Sequence, residues 1–154
     1  MQDEVARLID ALARPAGGSS DFDLVPPFVP PSGRTLRPAA VLVPIWLRPS
    51  GARVILTKRA SHLKHHPGQI AFPGGKVDEG DADLEATALR EAWEEIALPP
   101  AQVEILGRLS GHETVTNYQM TPILGLVRDD FVPIAEVSEV EEVFSVPLSH
   151  VLDK

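Results

Sequence analysis

The sequence contains no cysteine, which excludes disulfides, thiolate metal sites and a cysteine nucleophile. That absence also fits a reducing compartment. Positive charge is scarce: 14 Lys and Arg against 22 Asp and Glu leave a formal net charge of −8. A field of that sign repels phosphates, so nonspecific binding to nucleic acid or to an anionic membrane surface is not expected. A phosphate ester could approach such a protein only with cations between them. No apolar run approaches the length that spans a bilayer. The first residues, Met1-Gln2-Asp3-Glu4, are acidic where a secretory signal is basic. The expectation is a soluble, cytoplasmic protein.

What is present suits one domain. The chain has 154 residues and 44% apolar side chains, ordinary for a globular protein. Val5, Leu8, Ile9 and Leu12 recur at helical spacing, and Pro15 with Gly17-Gly18-Ser19-Ser20 stops that helix. Residues 15–37 are rich in Pro, Gly and Ser and read as an extended connector. Residues 1–37 are therefore expected to form a helix and connector, and residues 38–154 the domain proper.

Ala39 to Leu47 reads as a buried strand, with an edge or bulge expected at Pro44 because proline donates no ladder hydrogen bond. Pro49-Ser50-Gly51 turns the chain into a second strand, Arg53 to Thr57. A polar, histidine-rich loop follows over residues 58–69. Ile70-Ala71-Phe72 is a short strand running into a tight turn at Pro73-Gly74-Gly75. A helix is expected from Leu84 to Ala97, ended by Pro99-Pro100. Val103–Leu109, Thr121–Val127 and Val143–Val146 read as strands, with a polar loop over 110–119. Pro147 starts a last helix. Strands on both sides of one helix give a mixed α/β (α+β) domain, its sheet packed between helices.

At about 100° per residue, Glu91, Glu94 and Glu95 share one arc of the central helix. Ala88, Leu89, Ala92, Trp93 and Ile96 share the next, which should pack on the sheet. Like charges at these spacings repel by about 0.2–0.5 kcal/mol per pair. A hard divalent ion reverses that sign, because Mg²⁺ and Mn²⁺ prefer carboxylate oxygens. A solvated acidic face is the plain alternative. Arg90 can reach Glu94 along the helix.

The segment Gly75-Lys76-Val77-Asp78-Glu79-Gly80-Asp81, followed by Arg90-Glu91-Ala92-Trp93-Glu94-Glu95-Ile96-Ala97-Leu98, resembles the Nudix box. Asp81 stands where the box has Glu, one extra residue separates it from Arg90, and Ala97 replaces a glycine. A second likeness is narrower. Leu56-Thr57-Lys58-Arg59, Leu63, His66, Gly68-Gln69 and Phe72-Pro73-Gly74-Gly75 resemble the signature of Nudix coenzyme A pyrophosphatases, a group that shares the Asp and the longer spacing. Together the likenesses cover residues 38 to 152. Family members usually continue beyond this point, which raises truncation of the C-terminal part as an expectation.

The resemblance implies an alpha/beta/alpha sandwich with a mixed sheet. It implies that Glu91, Glu94 and Glu95, with the Gly74 carbonyl, bind Mg²⁺ or Mn²⁺, and that Arg90 orients the carboxylates. The family often takes a further Glu from the loop before the last strand. Glu136, Glu139, Glu141 and Glu142 are the candidates, and Glu139 is favoured as ligand or base. The catalytic set is thus Arg90, Glu94 and Glu139. Lys58, Arg59, Lys64 and His66 are expected to bind substrate phosphates. The activity implied is hydrolysis of the diphosphate linkage of coenzyme A or acyl-coenzyme A, a small-molecule partner. The products would be 3′,5′-ADP and a 4′-phosphopantetheine species. Two alternatives stand beside it: a Nudix hydrolase of another nucleoside diphosphate derivative such as ADP-ribose, and a non-catalytic Nudix-like binding domain. Oligomeric state is left open, a homodimer being one option.

Overall fold

The β-branched run after residue 38 becomes the axis of a mixed sheet. In the computed structural model the described residues are 35–63, 68–114 and 117–152, with Ala6 and Ser19–Ser20. The elements are β1 (Ser19–Ser20), β2 (Arg37–Arg48), β3 (Gly51–Arg59), β4 (Ile70–Ala71), β5 (Gly74–Lys76), helix α1 (Leu84–Ile96), a 3₁₀ turn (Pro100–Gln102), β6 (Val103–Arg108), β7 (His112–Glu113), β8 (Tyr118–Val127), β9 (Val140–Pro147) and helix α2 (Leu148–Leu152). The helix expected over Val5–Leu12 lies outside the described residues apart from Ala6, as does most of the 15–37 connector. No helix among the described residues is long and apolar enough to cross a membrane.

β2 pairs in parallel with β8 along its length, from Arg37↔Tyr118 to Trp46↔Val127. On its other side it has two successive partners. Ile45–Arg48 pair antiparallel with β3, and Ala39–Val41 pair antiparallel with β5. β3 diverges from β2 to pair with β4 on that side, and with β9 on the other. β8 carries β6 and β7 on its outer side.

Pro44 sits at this fork, in an interior strand, where an edge or bulge had been expected. The Leu42 amide donates to the Pro73 carbonyl at 2.8 Å. Backbone groups alternate along a strand, so position 44 faces the same side as Leu42. It falls between the end of one partner and the start of the other, where no ladder bond is required. The chain can place a proline there because the sheet splits there.

Two apolar layers flank the sheet. Ala40, Leu42, Ile55, Ile123 and Val127 face α1 and pack with its Ala88, Ala92 and Ile96. Ile45, Ala52, Val54, Leu124 and Leu126 face the other way, with Leu148 of α2. Full burial of each large aliphatic side chain stabilises by about 1.5–3 kcal/mol. Trp93 does not join the first layer: it is 53% exposed. It lies about 100° round the helix from Ala92, past the edge of the sheet contact.

Other boundaries differ from the sequence reading. Pro73-Gly74-Gly75 is not a tight turn, because Gly74 and Gly75 belong to β5. The 110–119 loop contains β7, and Pro147 ends β9 rather than opening the last helix. Asp83 caps the start of α1, its carboxylate accepting from the Ala86 amide at 2.7 Å. The helix ends before Pro99-Pro100 because Ala97 takes a left-handed conformation, φ 61° and ψ 30°. The Ala97 amide donates to Trp93 O at 3.0 Å and the Leu98 amide to Ala92 O at 3.4 Å, a pattern that usually has glycine at the left-handed residue.

A Cβ is strained in that region. Ala97→Gly is therefore expected to stabilise the protein by about 0.5–1 kcal/mol, a rise in melting temperature of about 1–4 °C. Thermal denaturation of the purified variant checks this. An unchanged or lower midpoint would show that the left-handed cap carries no strain.

Candidate active site

The fork brings two glycines of β5, Gly74 and Gly75, beside the acidic face of α1. A Cβ on Gly74 would collide with the Ala40 carbonyl and with Val41, and a Cβ on Gly75 would lie 2.6 Å from a Glu91 carboxylate oxygen. Neither glycine adopts a positive φ. Both positions exclude side chains because backbone and carboxylate approach so closely. The Gly74 amide donates to Glu95 Oε2 at 2.8 Å.

Arg90 organises the outer half of this site. Its Nε and Nη2 reach the two Asp81 oxygens at 2.9 and 3.0 Å, a bidentate pair. Nη1 reaches Glu91 at 3.1 Å and Glu94 at 3.2 Å, and Nη2 donates to the Lys76 carbonyl at 3.2 Å. Asp81 also accepts from the Thr87 hydroxyl and the Asp78 amide, both at 2.9 Å. The Arg90 guanidinium, then the Asp78 amide, hold the Asp81 carboxyl well below the usual carboxylate range. Asp81, not assigned to the site from sequence, is thus the anchor that fixes Arg90. Its one signal was its place in the Asp-containing subgroup pattern.

The carboxylates divide into two groups. Ligand atoms of Glu91, Glu95 and Glu139 lie within 4.8 Å of one another. Glu94 is outside that group, turned toward Arg90 with its side chain 53% exposed. The helical arc placed Glu91, Glu94 and Glu95 together, but Arg90 draws Glu94 to the solvent side. Glu95 is only 5% exposed. Burial pushes its carboxyl up to about 8; Glu91 and Glu139 add to the rise, while the Gly74 amide and the Arg59 charge oppose it. Glu91 is also raised, mainly by burial.

Glu139 is brought in by the loop before β9. The Ile134 and Glu136 amides donate to the Ile96 and Glu95 carbonyls at 3.0 and 2.9 Å. Those are carbonyls that a helix C-terminus leaves without intrahelical partners. Of the four acidic candidates in this stretch, only Glu139 joins the cluster among the described residues.

The cationic residues are distributed unevenly. Arg59 is close enough for its charge to act on Glu95. Lys58 instead meets Glu141 at 3.2 Å. Lys64 and His66 lie outside the described residues.

An all-oxygen donor set with two carboxyls raised by burial fits a hard divalent cation, which relieves both repulsion and desolvation. Glu91, Glu95 and Glu139 could hold one.

The family model described as NUDIX domain matches residues 36–152. A protein of Enterobacter sp. (strain 638), "Uncharacterized Nudix hydrolase NudL", is 48% identical over 133 residues, covering 86% of this chain and 69% of that protein. Among solved structures, the Nudix hydrolase RenU from M. smegmatis superposes with a TM-score of 0.64 at 21% identity, covering 80% of this chain and 84% of that one. The NUDIX domain of Shewanella oneidensis NrtR, solved with ADP ribose, gives a TM-score of 0.59 at 22% identity and covers 86% of each chain.

The opposed shifts of Glu95 and Asp81 set a pH dependence for the metal-free protein. Glu95 is raised, so the folded state holds its proton longer than the unfolded chain does. Its contribution to stability is full below about pH 4.5 and is lost as pH rises toward 8. Asp81 is lowered, so its contribution is present above its ordinary value near 3.8 and is lost in acid below it. Melting in EDTA should therefore peak near pH 4–5 and fall by about 5–10 °C toward pH 8. Glu95→Gln should flatten the alkaline side. A wild-type midpoint that is level from pH 5 to 8 would contradict the buried, uncompensated state of Glu95.

Proposed function

The chain belongs to the Nudix hydrolase family, and on that premise we propose that it cleaves the diphosphate linkage of coenzyme A or acyl-coenzyme A with Mg²⁺ or Mn²⁺ held by Glu91, Glu95 and Glu139. The observation that carries the metal assignment is the convergence of these three carboxylates within 4.8 Å, two of them raised by burial. When bound, the ion neutralises the diphosphate and lowers the pKa of an attacking water.

The chain's own residues supply the rest. The Gly74 carbonyl would be a further ligand to the ion, and the Gly74 amide keeps Glu95 in place. Glu139 is the exposed member of the cluster, so its carboxylate is the one suited to take a proton from water. Arg90, locked by Asp81, holds Glu91 in its rotamer and keeps Glu94 beside it. Glu94 acts there as the counter-charge to Arg90 rather than as an inner ligand.

The substrate assignment rests on the segment from Leu56 to Gly75. Within it β3 and β4 pair as a hairpin, the Arg59 amide donates to Gln69 O and the Gly68 amide to Arg59 O, and the Arg59 charge acts on Glu95. Gly68 has a φ of +70°, which the hairpin closure requires of it. Arg59, with Lys64 and His66 of the sequence that follows it, would receive the phosphate that coenzyme A carries beyond its diphosphate. Lys58 is the weaker candidate, since a phosphate must displace Glu141 to reach it.

Hydrolysis across a panel of diphosphates with Mg²⁺ tests this reading. The expected order is coenzyme A above 3′-dephospho-coenzyme A by about 10- to 100-fold in kcat/KM, with Arg59→Ala and Lys64→Ala narrowing the gap. Equal rates for the two would remove the role of the hairpin in reading the 3′-phosphate. Preference for ADP-ribose, the ligand in the Shewanella domain, would replace coenzyme A as substrate.

Glu95→Gln is expected to lose most turnover, about 100-fold or more, while keeping its fold. Millimolar Mg²⁺ or Mn²⁺ should raise the melting temperature of the wild type over EDTA, and do so less for Glu95→Gln. Near-normal kinetics of that variant at limiting Mg²⁺ would sink the ligand assignment.

A further inference from the structure

Glu139 stands in a loop, yet it must meet two helix carboxylates to within a few tenths of an ångström if the three are to act together. Its own loop is tied to α1 by the backbone at residues 134 and 136. The ties nearest to Glu139 come from elsewhere, the segment that leaves β3. The Ala60 amide donates to the Glu139 carbonyl at 3.0 Å. His62 Nε2 lies 3.0 Å from the Ser138 carbonyl. The Ser61 hydroxyl and the Lys58 ammonium reach the two Glu141 oxygens at 3.1 and 3.2 Å. Residues 138, 139 and 141 are each held by residues 58–62.

The strand register shows the same device. Lys58 pairs with Glu142 and Arg59 with Val140, so β9 has one extra residue, Glu141, opposite the Lys58–Arg59 step. A bulge of this kind bends the strand and re-aims its neighbours. Here the extra residue is the one clamped by Ser61 and Lys58; Val140, just before it, pairs with Arg59, and Glu139 leads into that pair.

We propose that His62 is a positioning residue for Glu139: by donating from Nε2 to the Ser138 carbonyl it locks the Glu139 loop onto residues 58–62 at the end of β3. A carbonyl only accepts, so Nε2 must carry the proton. The consequence is that residues 58–62 and the third carboxylate of the cluster move together, and a ligand held by Lys58 or Arg59 also fixes Glu139. The functional side of this inference rests on the metal reading above; the mechanical side does not.

The test uses the full chain with His62→Ala, His62→Gln, Glu139→Gln and the double variant His62→Ala/Glu139→Gln. His62 is exposed, so none of these removes a core contact. Amide hydrogen exchange reads the mechanical link, because the Glu139 and Val140 amides donate to Glu136 O within the loop. His62→Ala should speed exchange over residues 136–140 by about 3- to 10-fold, and His62→Gln, which keeps an N–H at similar reach, should restore it. Mn²⁺ titration by calorimetry reads the functional link. His62→Ala should weaken binding by about 3- to 10-fold, His62→Gln should not, and His62→Ala should add nothing in the Glu139→Gln background.

Unchanged exchange in His62→Ala overturns the inference outright. An equal loss of Mn²⁺ affinity with and without the Glu139 carboxylate also overturns it, since His62 would then act by another route. A wild type that binds no Mn²⁺ removes the metal reading instead, and the exchange data then decide the coupling alone.

Discussion

A helix can carry buried carboxylates against a strand only if that strand presents no side chains where they meet. Gly74 and Gly75 satisfy this condition, and much of the molecule is arranged around it. Because β5 must lie against α1, the second edge of β2 is shared between β3 and β5 rather than held by one partner. The fork that results accommodates Pro44, and it turns the Gly74 amide from the sheet toward Glu95. The small Ala88 and Ala92 on the adjoining face let the helix approach β2 closely enough for that bond to form.

The electrostatics follow from the same approach. Burial makes the Glu95 carboxyl unwilling to ionise, and Glu91 and Glu139 increase the penalty. A single arginine could have neutralised the group, but Arg90 is committed elsewhere, bidentate on Asp81. This division leaves one side of the helix paired and internally satisfied. The other side keeps a surplus of oxygen donors and negative charge. The surplus is a poor arrangement for an apo protein and a good one for a cation-dependent enzyme, as expected when functional sites hold what folding alone would not favour.

The C-terminal end of α1 couples these parts to the loop before β9. Ala97 closes the helix in a conformation usually left to glycine, and the Ile134 and Glu136 amides take up the last carbonyls. The same loop goes on to meet residues 58–62. Helix, loop and hairpin therefore share a continuous hydrogen-bonded path that passes beside Glu139.

The sequence by itself determined the helix from Leu84 onward, the spacing of its acids, the main strands and, through the box-like pattern, the family. Those are local properties, set by a repeat of 3.6 or 2 residues and by short fixed separations. It did not determine which acids converge. Glu94 shares an arc with Glu91 and Glu95, but a guanidinium anchored by Asp81 pulls it away. Glu139 was favoured among four acids before the last strand, but periodicity gave no physical ground to rank them. The role of the two glycines was also hidden, since a glycine pair reads the same in a turn as in a close approach. These outcomes were decided only by tertiary structure. They depend on which strand pairs with which and on where the sheet divides, and such pairings join residues far apart in the chain whose contact no local spacing encodes.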